Sequence, residues 1–279
     1  MNRFAALFDD IALLWGKYGS SYLNGVGSTL LLAVIATLVG CVIGFLCGIL
    51  QTIPCSHSDP LVKRGLLGLL RGIIRAYIEI FRGTPMILQA VFIYYGLPYF
   101  TNNAVQFRNI WAVSILVVSI NTGAYMAESV RGGILSVDRG QTEGAKAIGM
   151  NHWQTMLHVI LPQALRNIIP QIGNNFIINI KDTSVLSVIS ITDLFFVHKS
   201  VVGALYTYFE SAAIVMVIYL TMTLFASYLL RLWEKALDGP QNYDLNTTDS
   251  LAYTSGMYNA PDPNHESQNL DMKGGAAHV

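Results

Sequence analysis

Charged residues are scarce in this sequence: Asp, Glu, Lys and Arg make up 12% of 279 residues, about half the share of a typical soluble domain. That argues against an ordinary soluble enzyme. Seventeen basic side chains balance seventeen acidic ones, so there is no basic excess to hold nucleic acid and no acidic block to act as a solvating tail. Cysteine is nearly missing as well. Cys41, Cys47 and Cys55 give neither an even set nor a C-x-x-C pair, which excludes a disulfide framework and leaves them as apolar filler. His57, His152, His158 and His198 show no pairwise spacing of three or four, so no metal site is expected. Nor does the chain place a nucleophile with a base, or a set of ligands, at membrane depth, as an intramembrane enzyme would need.

What the sequence has instead is apolar length. No Asp, Glu, Lys or Arg occurs from Tyr18 to Ser58, and further gaps run from Gly83 to Phe107, Asn109 to Ala127 and Ser211 to Leu230. A bilayer core takes about 20 apolar residues of helix. Five spans follow, at about 24–50, 84–100, 110–128, 167–192 and 209–231. The first run is too long for the core of a signal peptide, roughly 7 to 15 residues, and follows Asp9, Asp10 and Lys17, so it reads as a retained membrane helix.

Orientation follows the basic residues of the short connections. Lys63, Arg64, Arg71, Arg75 and Arg82 crowd 51–82, and Arg131, Arg139, Lys146 and Arg166 crowd 129–166, against only Arg108 and Lys199 near 101–109 and 193–208. This puts 51–82, 129–166 and the tail in the cytoplasm, and segment 1–23 outside. The membrane domain is expected over 24–235; the tail, 236–279, rich in Asn, Asp, Ser, Gly and Pro, reads as disordered.

Ala36, Gly40, Gly44 and Gly48 recur at four-residue steps, so one face of the first span is nearly bare and admits a close neighbour. Residues 60–82 interleave Leu61, Leu66, Leu69, Ile73 and Tyr77 with basic residues, a pattern that predicts an amphipathic helix along the cytoplasmic interface. Arg82 reads as its interfacial anchor, before a bend at Gly83-Thr84-Pro85. Glu128 and Arg131 read as an i,i+3 pair on one helix.

The fourth span carries Asn167, Gln171, Asn174, Asn175, Asn179 and Asp182 at three- and four-residue steps, a polar stripe in an apolar run. Lipid cannot satisfy it. Two readings fit: hydrogen bonds between helices, or the lining of a translocation path that also takes Asn121 from the third span. Lys181 and Asp182 point about 100° apart on a helix and demand either pairing to another subunit or a local break, with Thr183, Ser184, Ser187 and Ser190 recapping the backbone.

The segment 138–166 is a poor span and a reasonable docking knob. Its stretch QTEGAKAIGMNHWQTMLHVILPQALRNIIP (141–170) resembles the EAA motif of binding-protein-dependent ABC importer permeases, with Glu143, Gly144, Ala145, Ala147 and Gly149, then Leu161 and Pro162. Gly144 replaces the first alanine of that motif. FRGTPMILQAVFIYYGLP (81–98), AYMAESVRGGILSV (124–137), KDTSVLSVI (181–189) and NGVGSTLLL (24–32) resemble the polar amino acid branch of that family.

The resemblance implies an all-α membrane protein with the type I importer fold, five transmembrane helices and a coupling helix over Glu143 to Met150. It implies a bacterial inner-membrane subunit that carries a polar amino acid and is not itself an enzyme. Its partners would be an ABC ATPase, an external binding protein and a second permease copy or paralogue, with membrane lipid around them. The chain has no G-x-x-x-x-G-K-[ST] loop, so ATP and magnesium belong to the ATPase and no cofactor is expected here. Asn121, Asn175, Asn179, Lys181 and Asp182 are the candidate path residues. The rival from another class is an ion-driven secondary transporter, which also uses broken helices but commonly shows an internal repeat, not found in this sequence.

Overall fold

A computed structural model describes residues 3–55 and 59–238 of the chain. The expected disorder beyond residue 238 lies outside the described residues. The first helix, α1 (Arg3–Thr52), begins well before residue 24. No proline interrupts this stretch, and Asp9, Asp10 and Lys17 stay exposed or half-exposed on a helix that they have no means to stop; Pro54 follows its end. Next, α2 (Leu61–Gly83) follows Pro60 and buries Ile74 and Ile78. It ends at Thr84-Pro85, where the ring of proline bars the α conformation to the residue before it. The chain turns there by 110° into α3 (Met86–Val91), a wide π turn (Phe92–Gly96) and α4 (Leu97–Phe100).

Asn109 then caps α5 (Ile110–Leu135), its side chain accepting from the Trp111 amide at 2.9 Å. The segment after α5 folds as α6 (Arg139–Ala147), α7 (His152–Thr155) and a π turn (Met156–Ile160) that runs into α8 (Leu161–Asp182). A 3-10 stretch (Thr183–Ile189), α9 (Leu194–Leu205) and α10 (Tyr208–Asp238) complete the described chain.

Leu7–Thr52, Ile110–Leu135 and Tyr208–Ala236 are each long and apolar enough to cross a bilayer. Two bent pairs, Leu61–Gly83 with Met86–Phe100 and His152–Ile189 with Leu194–Leu205, bring the crossings to five if each pair counts as one. The fourth expected span, 167–192, lies within the second pair, whose helical run starts at His152, continues past Asp182 as a 3-10 stretch to Ile189 and bends by 49° before Leu194.

The central contact is α1 on α5. A Cβ on Gly40 would lie 2.7 Å from the Cβ of Thr122, and one on Gly48 would lie 2.6 Å from Cγ1 of Val130. Between them Gly44 faces Met126. The small ridge of α1 and the Thr122, Met126, Val130 row of α5 share a four-residue step, so each glycine receives one side chain and the backbones come close. Tyr77 ties α2 to the same helix by donating to the Ile120 carbonyl at 2.6 Å. By contrast, only 17% of the apolar window of α10 is buried, which leaves Met216, Leu220, Leu224 and Phe225 exposed.

Candidate functional site

A cavity of about 490 Å³ opens beside the end of α8 and the bend between α2 and α3. Its size falls within the roughly 300–1,000 Å³ typical of small-molecule sites. Asn121, Asn175, Asn179 and Asp182 all line it, together with Arg82, Thr84 and Tyr125. Four of the five residues expected along a path therefore meet. Lys181 does not: it is exposed and outside the lining, as the 100° step from Asp182 requires.

The end of α8 has local causes. α-Helical geometry gives way to 3-10 after Asp182, the Thr183 hydroxyl donates to the Ile180 carbonyl at 3.0 Å, and the 3-10 stretch closes at Ser190, whose φ is 66°. The bend at Gly83 is stapled from two sides. The last carbonyls of a helix lack partners within it, and here Gln89 Nε2 donates to the Phe81 and Thr84 carbonyls, both at 2.9 Å. Asn121 Nδ2 donates to the same Phe81 carbonyl at 3.0 Å and to Gln89 Oε1 at 3.1 Å. Asn121 thus has a structural duty as well as a place in the cavity wall.

Asn179 also serves both readings. It is buried, and its Nδ2 donates to Thr37 at 2.8 Å and to Thr122 at 3.0 Å, joining α1, α5 and α8. Asn175 donates to the Gln171 carbonyl at 2.8 Å. The stripe divides lower down: Asn167, whose Nδ2 donates to Ser136 Oγ at 2.9 Å, and Gln171 line a second cavity of about 460 Å³ with Glu128, Ser129 and Ser136. Asn174 is exposed and lines neither.

Glu128 does not pair with Arg131. It is ion-paired with Arg82 across helices, and the Arg82 guanidinium stands 5.3 Å from the centre of the Tyr125 ring. Arg82 is therefore no simple interfacial anchor. Spacing within one helix gave no sign of this partner, because the contact depends on how α2 packs against α5. Gln89, Thr37, Thr122 and Tyr125 were likewise missed; of these, Gln89 had a signal in the need to cap α2 at Pro85.

The docking segment has a defined shape. Asp138 caps α6, accepting from Gly140 N at 2.5 Å. The helix runs Arg139–Ala147 rather than Glu143 to Met150, because Gly149, at φ 85°, closes it in the left-handed conformation. The Gly149 amide donates to the Lys146 carbonyl and the Met150 amide to the Ala145 carbonyl, both at 3.0 Å. A capping box between Asn151 and Gln154 then starts α7. Ala145 is buried, while Glu143, Gly144, Ala147 and Gly149 are exposed; Leu161 is half-buried and Pro162 exposed at the start of α8. Ile148 and Trp153 are 78% and 63% exposed, an apolar tip on a polar loop.

Comparison with known proteins fits this architecture. The family model described as binding-protein-dependent transport system inner membrane component matches residues 61–239. The chain is 34% identical over 215 residues to the glutamine transport system permease protein GlnP of Escherichia coli (strain K12), covering 77% of this chain and 92% of that protein. It is 33% identical to the octopine transport system permease protein OccM of Rhizobium radiobacter, covering 87% and 96%. Among solved structures, an amino acid ABC transporter crystallised with histidines is 34% identical, with a TM-score of 0.70 over 80% of this chain and 97% of that one. The MetNI methionine ABC transporter, at 18% identity and a TM-score of 0.63, covers 79% and 97% and shares the fold. This chain belongs to the binding-protein-dependent transport system inner membrane components, multi-pass permease subunits that are not enzymes.

Proposed function

We propose that this chain forms the path for a polar amino acid in an ATP-driven importer. The observation that carries the reading is the polar cavity at the end of α8, lined by the amides of Asn121, Asn175 and Asn179 and by Asp182. A carboxylate with neutral amides beside it suits the ammonium group of a polar amino acid. Relatives named for glutamine and octopine transport support that class.

In this reading an external binding protein delivers the cargo, and a second copy or a paralogue completes the path. The α6 segment, with Glu143, Gly144, Ala145, Ala147 and Gly149 backed by Leu161 and Pro162, seats in a separate ATPase subunit, which holds ATP and magnesium. The basic connections 51–82 and 129–166 and the tail 236–279 lie in the cytoplasm of a bacterium, segment 1–23 outside, and the membrane domain spans 24–235. Closure of the ATPase draws the docking segments together, and rigid helices carry that motion to the cavity.

The test is uptake by proteoliposomes holding the chain, its co-purified ATPase and an amino acid binding protein. Uptake should need ATP, and N175A and N179A should each lower it. N179A should also lower thermal stability, by about 0.6–2 kcal/mol, as for lost polar links between membrane helices. Unchanged uptake in both variants would remove these amides from the path. Uptake on an ion gradient without any ATPase would replace the importer by a secondary transporter.

A further inference from the structure

We propose that the Arg82–Glu128 ion pair gates this path, and that it opens when four charges exchange partners. The inference rests on the transport function proposed above. Arg82 and Tyr125 line both the 490 Å³ cavity and the 460 Å³ cavity nearer the docking segment. The ion pair and the Tyr125 ring under the guanidinium therefore stand between the two polar compartments.

A gate needs an open state that leaves no charge stranded in a membrane protein. A third cavity, of about 140 Å³, supplies it: Glu79, Arg82, Glu128 and Arg131 all line it, together with Arg75 and Gln51. Glu79 lies three residues before Arg82 on α2, and Arg131 lies three residues after Glu128 on α5. Residues at that spacing are neighbours on a helix surface. Neither Glu79 nor Arg131 forms an ion pair among the described residues. The closed state thus holds one pair across helices with two partners in reserve. Moving α2 from α5 converts it into two pairs, Glu79–Arg82 and Glu128–Arg131, each inside its own helix. Every charge in the exchange keeps a partner, so the two states lie close enough in free energy for a modest driving force to choose between them.

The pattern predicts different results for different exchanges. The assay uses the assembled complex in proteoliposomes with labelled glutamine, histidine or arginine, whichever the wild type takes up. R82Q and E128Q should leak the probe down its gradient without ATP, at least about fivefold faster than wild type. R82E/E128R keeps the pair across helices but sets like charges at both three-residue spacings. It should stay tight and lose about tenfold in ATP-driven uptake. The fourfold exchange E79R/R82E/E128R/R131E should recover most of that uptake. E79Q, at an exposed position, should slow uptake without leak. A tight R82Q, a fully active R82E/E128R or a fully active E79Q would each overturn the proposal. ATP-driven uptake by the wild type is measured first; its absence would count against the importer reading, and the leak of R82Q, which needs no ATP, would still report on the gate.

Discussion

Gly149→Val is expected to abolish most ATP-coupled uptake while the membrane bundle stays folded. At φ 85° the glycine occupies a conformation that L side chains rarely adopt, and the left-handed region costs a side chain roughly 1–2 kcal/mol, with β-branched residues the worst placed. No atom stands within 4 Å of a Cβ built there, so the whole effect comes from the backbone. At about 1.4 kcal/mol per tenfold, the population holding the present turn falls by roughly an order of magnitude. That turn aims the exposed Ile148 and Trp153 and separates α6 from α7. G149N should keep more activity than G149V, since asparagine tolerates the left-handed region. The check is ATPase turnover and uptake measured together, with thermal unfolding as control. Full coupled uptake by G149V would show that this turn is not what engages the ATPase. E143K, on the exposed face of α6, should uncouple hydrolysis from uptake in the same assay.

Gly44→Leu is expected to have the largest effect on folding. A Cβ at Gly44 would overlap the Met126 side chain and lie 2.9 Å from that residue's carbonyl carbon and 3.0 Å from the Ala127 nitrogen. Backbone cannot step aside as a flexible side chain does. Overpacking by added methylenes typically costs about 1–3 kcal/mol, and a leucine here must part α1 from α5, the contact around which the bundle is built. G27L is the control, because nothing lies within 4 Å of a Cβ at Gly27. Size-exclusion profiles and melting in detergent should show G44L aggregated or strongly destabilised and G27L close to wild type. A well-folded G44L would mean that α1 and α5 are not pressed together as described.

Much of the bundle was legible beforehand, because apolar length, the Gly40, Gly44, Gly48 step and the positions of prolines act locally. For Lys181 and Asp182 the residues left pairing and a local break open; the chain passes there from α to 3-10 geometry and bends only after Ile189. What stayed hidden depends on angles between elements. Arg82 reaches Glu128 because α2 packs against α5, and Arg131, nearer in sequence, was the natural partner until that packing was known. The amides of the stripe share a spacing and not a fate: Asn179 is buried at the wall of the cavity that Asn175 also lines, Asn167 and Gln171 line the second cavity, and Asn174 is exposed. A helical period fixes a face, while the slope of a neighbouring helix decides how far along that face the cover extends.

The bare strip on α1 also bears on how the protein is made. Its counterpart on α5 is translated much later: roughly 90 residues separate Gly48 from the end of α5, which at about 5–20 residues per second is a delay of several seconds. Through that interval the newly inserted α1 has no helix to fill its glycine notches, and only lipid or the insertion machinery can occupy them. A ribosomal stall or a truncation before Leu135 would prolong this unpaired stage, making the nascent chain a target for membrane quality control before any cargo pathway exists.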